Sequence, residues 1–123
     1  MINAYSVNQT VDAGGFVNWD NVKVVKGCTA VLVAPATINL NAKGVYQVEC
    51  SGYGAAGVSI QLYQNGLPLP ETLREGPTPA FTTLVQVANN NTQCCCTAPT
   101  TLQVGCDAES VFDSINITVT KIV

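Results

Sequence analysis

Six cysteines and no histidine bound the chemistry open to this 123-residue chain. Cys94, Cys95 and Cys96 stand side by side in NNNTQCCCTAPT, while Cys28, Cys50 and Cys106 are dispersed. A cysteine nucleophile needs a neighbouring imidazole or cation to hold it as thiolate, and no basic residue lies near the triplet in sequence. Zinc takes about four ligands, usually in pairs spaced by roughly two to four residues. In an extended chain Cys94 and Cys96 face one way and Cys95 the other, which suits crosslinks to two places better than one chelate. The expectation is structural cysteines, with the triplet acting as disulfide staples and no metal or cofactor. The plainer alternative is six reduced cysteines, several buried as small hydrophobes.

The carboxylates are Asp12, Asp20, Glu49, Glu71, Glu75, Asp107, Glu109 and Asp113, and their one local cluster is DAESVFD at 107–113. It lacks the ordered oxygen ligands and central glycine of a calcium loop, so it reads as a solvated loop. Catalysis near pH 7 most often recruits histidine as its base, and the chain has none. The reading is therefore a protein that is not an enzyme.

The elements that position these residues are strands almost throughout. VYQVEC (45–50) alternates Tyr46, Val48 and Cys50 against Val45, Gln47 and Glu49. VSIQLY (58–63) sets Val58, Ile60 and Leu62 against Ser59, Gln61 and Tyr63, and SINITVTKIV (114–123) sets Ile115, Ile117 and Val119 against Asn116, Thr118 and Thr120. The last of these is expected to close the sheet. Further strands are predicted at 4–9, 17–25, 29–34, 37–41, 81–87 and 100–106. Glycines at KG (26–27), AKG (42–44) and QNG (64–66) mark turns where a positive φ is cheap, and DAGG (12–15) is another. The four prolines of LPLPETLREGPTP (67–79) exclude a central strand there. Phe16 and Trp19 read as core or interface filler. Many short strands with regular turns predict an all-β, two-sheet jelly-roll sandwich occupying residues 1–123 as a single domain.

Composition narrows the partners. Apolar residues make up 47% and charged residues 11%, so the surface is built from Asn, Gln, Ser and Thr and suits packing against copies of itself. A net charge of −3 with Lys23, Lys26, Lys43, Arg74 and Lys121 scattered argues against nucleic acid. No apolar run approaches the roughly 20 residues of a membrane helix, and the start has neither a basic nor an apolar export region. Cysteines without an export signal fit a virion component, made in the bacterial cytoplasm and oxidised after release by lysis.

The order AYSV, FVNWDNV, INLNAKGVYQVECSGYG, VSIQLYQNG and FTTLVQV resembles, over nearly the whole chain, the jelly roll of the tumour necrosis factor and complement globular head superfamily. GVYQV (44–48) is similar to the family's Gly-x-Tyr-x-Phe strand, with Val48 in place of Phe. LYQNG and FTTLVQV, with a cysteine cluster following, also look like small phage and bacterial proteins that form trimeric fibre tips, decorations and knobs. The chain has no collagen-like stalk and ITVTKIV is only loosely similar to the family's final strand, so cytokine signalling is not carried over.

The resemblance implies the fold and a homotrimer. On it, Tyr5, Leu84 and Ile122 are expected to face the three-fold axis. The triplet is expected at one end of the sandwich, with Cys50 and Cys106 finishing strands at the other and either paired or left as buried thiols. Cys28 would meet the triplet only if residues 26–36 crossed the sandwich. The function expected is a phage head fibre, capsid decoration or tail-associated knob, held by other virion proteins or attached to a host cell-surface ligand. A bacterial cell-surface or spore-coat protein is the alternative; a ligand-sequestering protein or enzyme with an inter-subunit cleft comes third. Glu71, Arg74 and Glu75, in the proline-stiffened connection, are the expected partner-binding residues.

Overall fold

Period-two burial organises each long strand. In a computed structural model describing residues 1–88 and 100–123, β1 (Ile2–Val11) buries Ile2, Ala4 and Ser6, and β5 (Gly44–Tyr53) buries Tyr46, Val48 and Cys50. In β11 (Ser110–Lys121) the buried set is Ser110, Phe112, Ile115, Ile117 and Val119. The alternation changes phase at Asn8, whose φ is 54°, and opposite it between Phe112 and Ile115. Both strands shift together, so the sheet keeps one apolar face along its whole length.

With β2 (Asn21–Val25) and β9 (Ala80–Val87), these strands form an antiparallel five-stranded sheet in the order β2-β1-β11-β5-β9. The second sheet runs β3-β4-β10-β6-β7, from β3 (Ala30–Ala34), β4 (Thr37–Leu40), β10 (Thr100–Gly105), β6 (Val58–Gln64) and β7 (Leu67–Pro68). β8 (Arg74–Gly76) also pairs with β6. Between the sheets Ile38, Leu40, Ile60, Leu62, Leu102 and Val104 meet Ile2, Tyr46, Phe112, Ile115 and Ile117, all essentially inaccessible to water. Each such side chain contributes about 1.5–3 kcal/mol of burial free energy.

Three expectations change. The strand predicted over 17–25 begins only at Asn21. Residues 17–20 instead cross to the other sheet, with Val17 N–H donating to Val104 O (2.8 Å) and Trp19 N–H to Pro35 O (2.6 Å), which buries both side chains. The final strand does not close an edge: β11 lies in the middle, pairing with β1 on one side and β5 on the other. It also starts earlier than expected, so Ser110 to Asp113 of the predicted acidic loop belong to a strand.

The proline-rich connection is more ordered than expected. It holds β7, a single 3₁₀ turn (Pro70–Thr72) and β8. Thr72 docks it, because its hydroxyl accepts from Leu62 N–H (2.8 Å) and donates to Leu69 O (2.7 Å). The prolines keep it at the sheet edge, as expected.

The turn glycines behave as read, with φ of 72° at Gly27, 150° at Gly44 and 80° at Gly66. Gly44 has a second reason to be glycine, since a Cβ there would lie 2.3 Å from Val123 O. Two residues on, the Tyr46 hydroxyl donates to Ala42 O (2.7 Å) and accepts from Ala42 N–H (3.3 Å), fixing the turn that leads into β5. Phe16 packs edge-on to Tyr63, ring centroids 5.1 Å apart, as filler between connection and sheet.

Candidate functional site: the outer face of the five-stranded sheet

The residues that alternate with the core form the outer face of the five-stranded sheet. Tyr5 projects from β1 and is 37% exposed; Leu84 projects from β9 and is 61% exposed. Ile122 continues the outward parity of Asn116, Thr118 and Thr120 past the end of β11 and is 48% exposed, with its N–H donating to Val45 O (2.8 Å). The three therefore share one face without touching one another: the register sets Tyr5 against Asn116, and Leu84 against Gln47. Val7, also exposed, belongs to the same set and was missed. Its parity with Tyr5 in AYSV was the signal that would have found it.

The polar side chains of this face are tied laterally. Asn3 Nδ2 donates to Thr118 Oγ1 (2.7 Å) and Ile117 O (3.2 Å), Asn116 Nδ2 to Ser51 Oγ (3.1 Å), and Gln47 Nε2 to Glu49 Oε1 (3.2 Å). Toward β2 the face is recessed in a cleft of about 570 Å³, lined by Tyr5, Lys23, Ser114, Ile115 and Asn116 among others. Ser6 forms part of its floor. The Ser6 hydroxyl donates to Asn18 O and accepts from Asp20 N–H (2.9 Å), so the floor is rigid.

The expected partner-binding residues lie elsewhere, on the proline-rich connection. Arg74 Nη1 donates to Glu71 O and Leu73 O, each at 2.9 Å, which folds the guanidinium onto its own connection. Glu75, in β8, lines a smaller cleft of about 330 Å³ together with Ser59, Asp107 and Glu109. Among the described residues no group of three potential ligands is close enough to hold a metal ion.

The dispersed cysteines divide into two kinds. Cys50 sits in the middle of β5, opposite Ile117 and Phe81, and not at a strand end as expected. Cys106 follows β10, with its N–H donating to Gly15 O (3.1 Å) and its carbonyl accepting from Gly14 N–H (2.8 Å). Both are free, buried thiols. Burial pushes Cys50 far above the usual thiol range, with Cys106 adding to the effect. Burial likewise pushes Cys106 up to about 11, the Ser110 hydrogen bond opposing and Asp107 reinforcing the shift. Neither is a thiolate at neutral pH, which makes both inert as nucleophiles.

Cys28 is not a free thiol. Its carbonyl accepts from Asn41 Nδ2 (3.0 Å), just beyond β4, and Leu40 of β4 pairs with Thr100 at the start of β10. Cys28 thus already lies at the end of the sandwich where β10 begins, so residues 26–36 have no need to cross it. Cys94, Cys95 and Cys96 lie outside the described residues.

Two antiparallel sheets in these strand orders make a jelly-roll sandwich, and its fold is like that of tumour necrosis factor-type and complement C1q-type domains. Solved structures with the same fold include PRD1 vertex protein P5, at 14% identity and TM-score 0.66 over 99% of this chain and 96% of that one. The globular domain of zebrafish complement 1qA protein aligns at 7% identity and TM-score 0.69, over 99% and 96%. Rabbit GITRL aligns at 9% identity and TM-score 0.58, over 100% and 95%. At these identities the likeness is one of fold. No protein-family model and no curated protein matches the sequence. No helix among the described residues is long and apolar enough to cross a membrane.

Proposed function

We propose that this protein is a non-enzymatic virion component, a homotrimeric knob, head fibre or decoration that joins a virion to a host surface or to another virion protein. The observation that carries the reading is the outer face of the five-stranded sheet, where Tyr5, Val7, Leu84 and Ile122 are all substantially exposed in a single chain. Exposed apolar side chains distributed over a polar face supply what an interface between copies needs. The fold shared with a vertex protein supports the virion assignment.

In this reading Glu71, Arg74 and Glu75 carry the partner-binding surface, and Cys28 pairs with one of Cys94, Cys95 and Cys96 as a late-formed structural staple. Static light scattering tests the assembly. A mass near three times the 12.9 kDa chain is expected at micromolar concentration, and a monomer there refutes the reading.

A further inference from the structure

The register of the five-stranded sheet stacks its outward residues in levels. One level holds Asn3, Thr118, Glu49 and Thr82, because Asn3 pairs with Thr118, Thr118 with Glu49, and Glu49 with Thr82. Lys23 lies within one residue of the same level, as the bulged residue between Val24, which pairs with Asn3, and Val22, which pairs with Ala4, and it lines the recess. On one side of this level stands Tyr5, in register with Asn116; on the other stands Leu84, in register with Gln47. A level with a cation at one flank and an anion toward the other thus lies between two levels that each carry one large apolar side chain among polar ones.

Within one chain Lys23 and Glu49 are kept apart. β2 and β5 are three strand steps from one another, roughly 14 Å at about 4.8 Å per step. Glu49 instead accepts from Gln47 Nε2 (3.2 Å), which holds its carboxylate on the outer face. The two charges lie on the same face and at nearly the same height, yet on opposite sides of the central strand. A rotation about an axis lying along the strands leaves height unchanged. In a head-to-tail ring built on such an axis, the β5 side of one copy meets the β2 side of the next at nearly equal height.

We propose that Glu49 of each copy pairs with Lys23 of the next across the recess, and that this contact sets the head-to-tail register of the trimer. The inference rests on the trimer reading above and adds to it the order in which copies meet. A face that was merely apolar would let copies slide along the strands or turn over, whereas a misaligned or inverted pair here loses its ion pairs. Like-charge contacts at an interface are strongly unfavourable, so the pair acts mainly by excluding wrong arrangements.

Charge exchange tests it. The wild type, K23E, E49K and the double variant K23E/E49K are compared by sedimentation equilibrium, with circular dichroism to verify the fold; both side chains are exposed, so folding is expected to be unaffected. Each single variant is expected to raise the trimer dissociation constant at least about tenfold, and the double variant to recover to within about threefold of wild type. A trimeric wild type with single variants unchanged, or with a double variant as weak as the singles or weaker, overturns the register and leaves the trimer standing. A monomeric wild type overturns both.

Discussion

Replacing Tyr46 with phenylalanine isolates one hydroxyl in the core. Tyr46 is fully buried and faces the opposite sheet, away from any surface through which copies associate. Its hydroxyl donates to Ala42 O at 2.7 Å and accepts from Ala42 N–H at 3.3 Å, and Ala42 is itself buried. Phenylalanine keeps the ring and its packing, so the cavity term is small and the cost is that of two backbone groups left without this partner. An orphaned buried group costs about 1–3 kcal/mol, and the longer of the two bonds falls at the low end, which gives about 2–4 kcal/mol in total. At about 3–5 °C per kcal/mol for a chain of this size, Tm falls by about 6–20 °C. Urea unfolding followed by circular dichroism, at one fixed protomer concentration so that association does not enter the comparison, measures it. A variant within about 0.5 kcal/mol of wild type refutes the argument that this hydroxyl fixes the turn before β5.

Gly44→Ala is expected to destabilise by more than about 1 kcal/mol, because φ there is 150° and the new Cβ meets Val123 O at 2.3 Å; an unchanged urea midpoint contradicts this. The contribution of the two thiols to stability is expected to be level below pH 9, the ordinary thiol value, and to fall between pH 9 and 11. The folded thiols hold their protons where the unfolded ones lose them, so the unfolded state gains with rising pH. A Cys50→Ala/Cys106→Ala variant should show a shallower fall in urea midpoint over that window, and an equal fall removes the thiols as its cause. Arg74→Ala/Glu75→Ala is expected to leave thermal stability within about 0.5 kcal/mol while weakening attachment to cells or to purified virion proteins; unchanged binding by both moves the contact surface off this connection.

Much of this fold was legible because its residues alternate cleanly. Tyr46, Val48 and Cys50 named the buried side of β5, and the turn glycines marked where strands end. The position of β11 was not legible, because period two fixes which side of a strand is buried but not which strands flank it. The stretch from Val17 to Asp20 misled for a related reason. Its apolar residues alternate as in a strand, yet Val17 and Trp19 bond to Val104 and Pro35 across the sandwich. Tyr5, Leu84 and Ile122 were named from the family resemblance, as apolar residues in strands otherwise offering Asn, Gln and Thr, while the near-common level of Lys23 and Glu49 depends on strand register, which no local pattern reveals.

The central place of β11 also governs when this molecule can come into being. β1 and β5 each pair with it along most of their length, joining Ile2 to Val119 and Tyr53 to Ser114, so two flanking parts of the sheet wait on a strand synthesised after both. Until it emerges from the ribosome, β1 and β5 each have an exposed edge, and the pairing that joins them closes a very long loop, a slow event that waits for β11. A nascent chain arrested before Ser110 should be protease-sensitive and aggregation-prone, and one extended beyond the exit tunnel should become resistant in a single step.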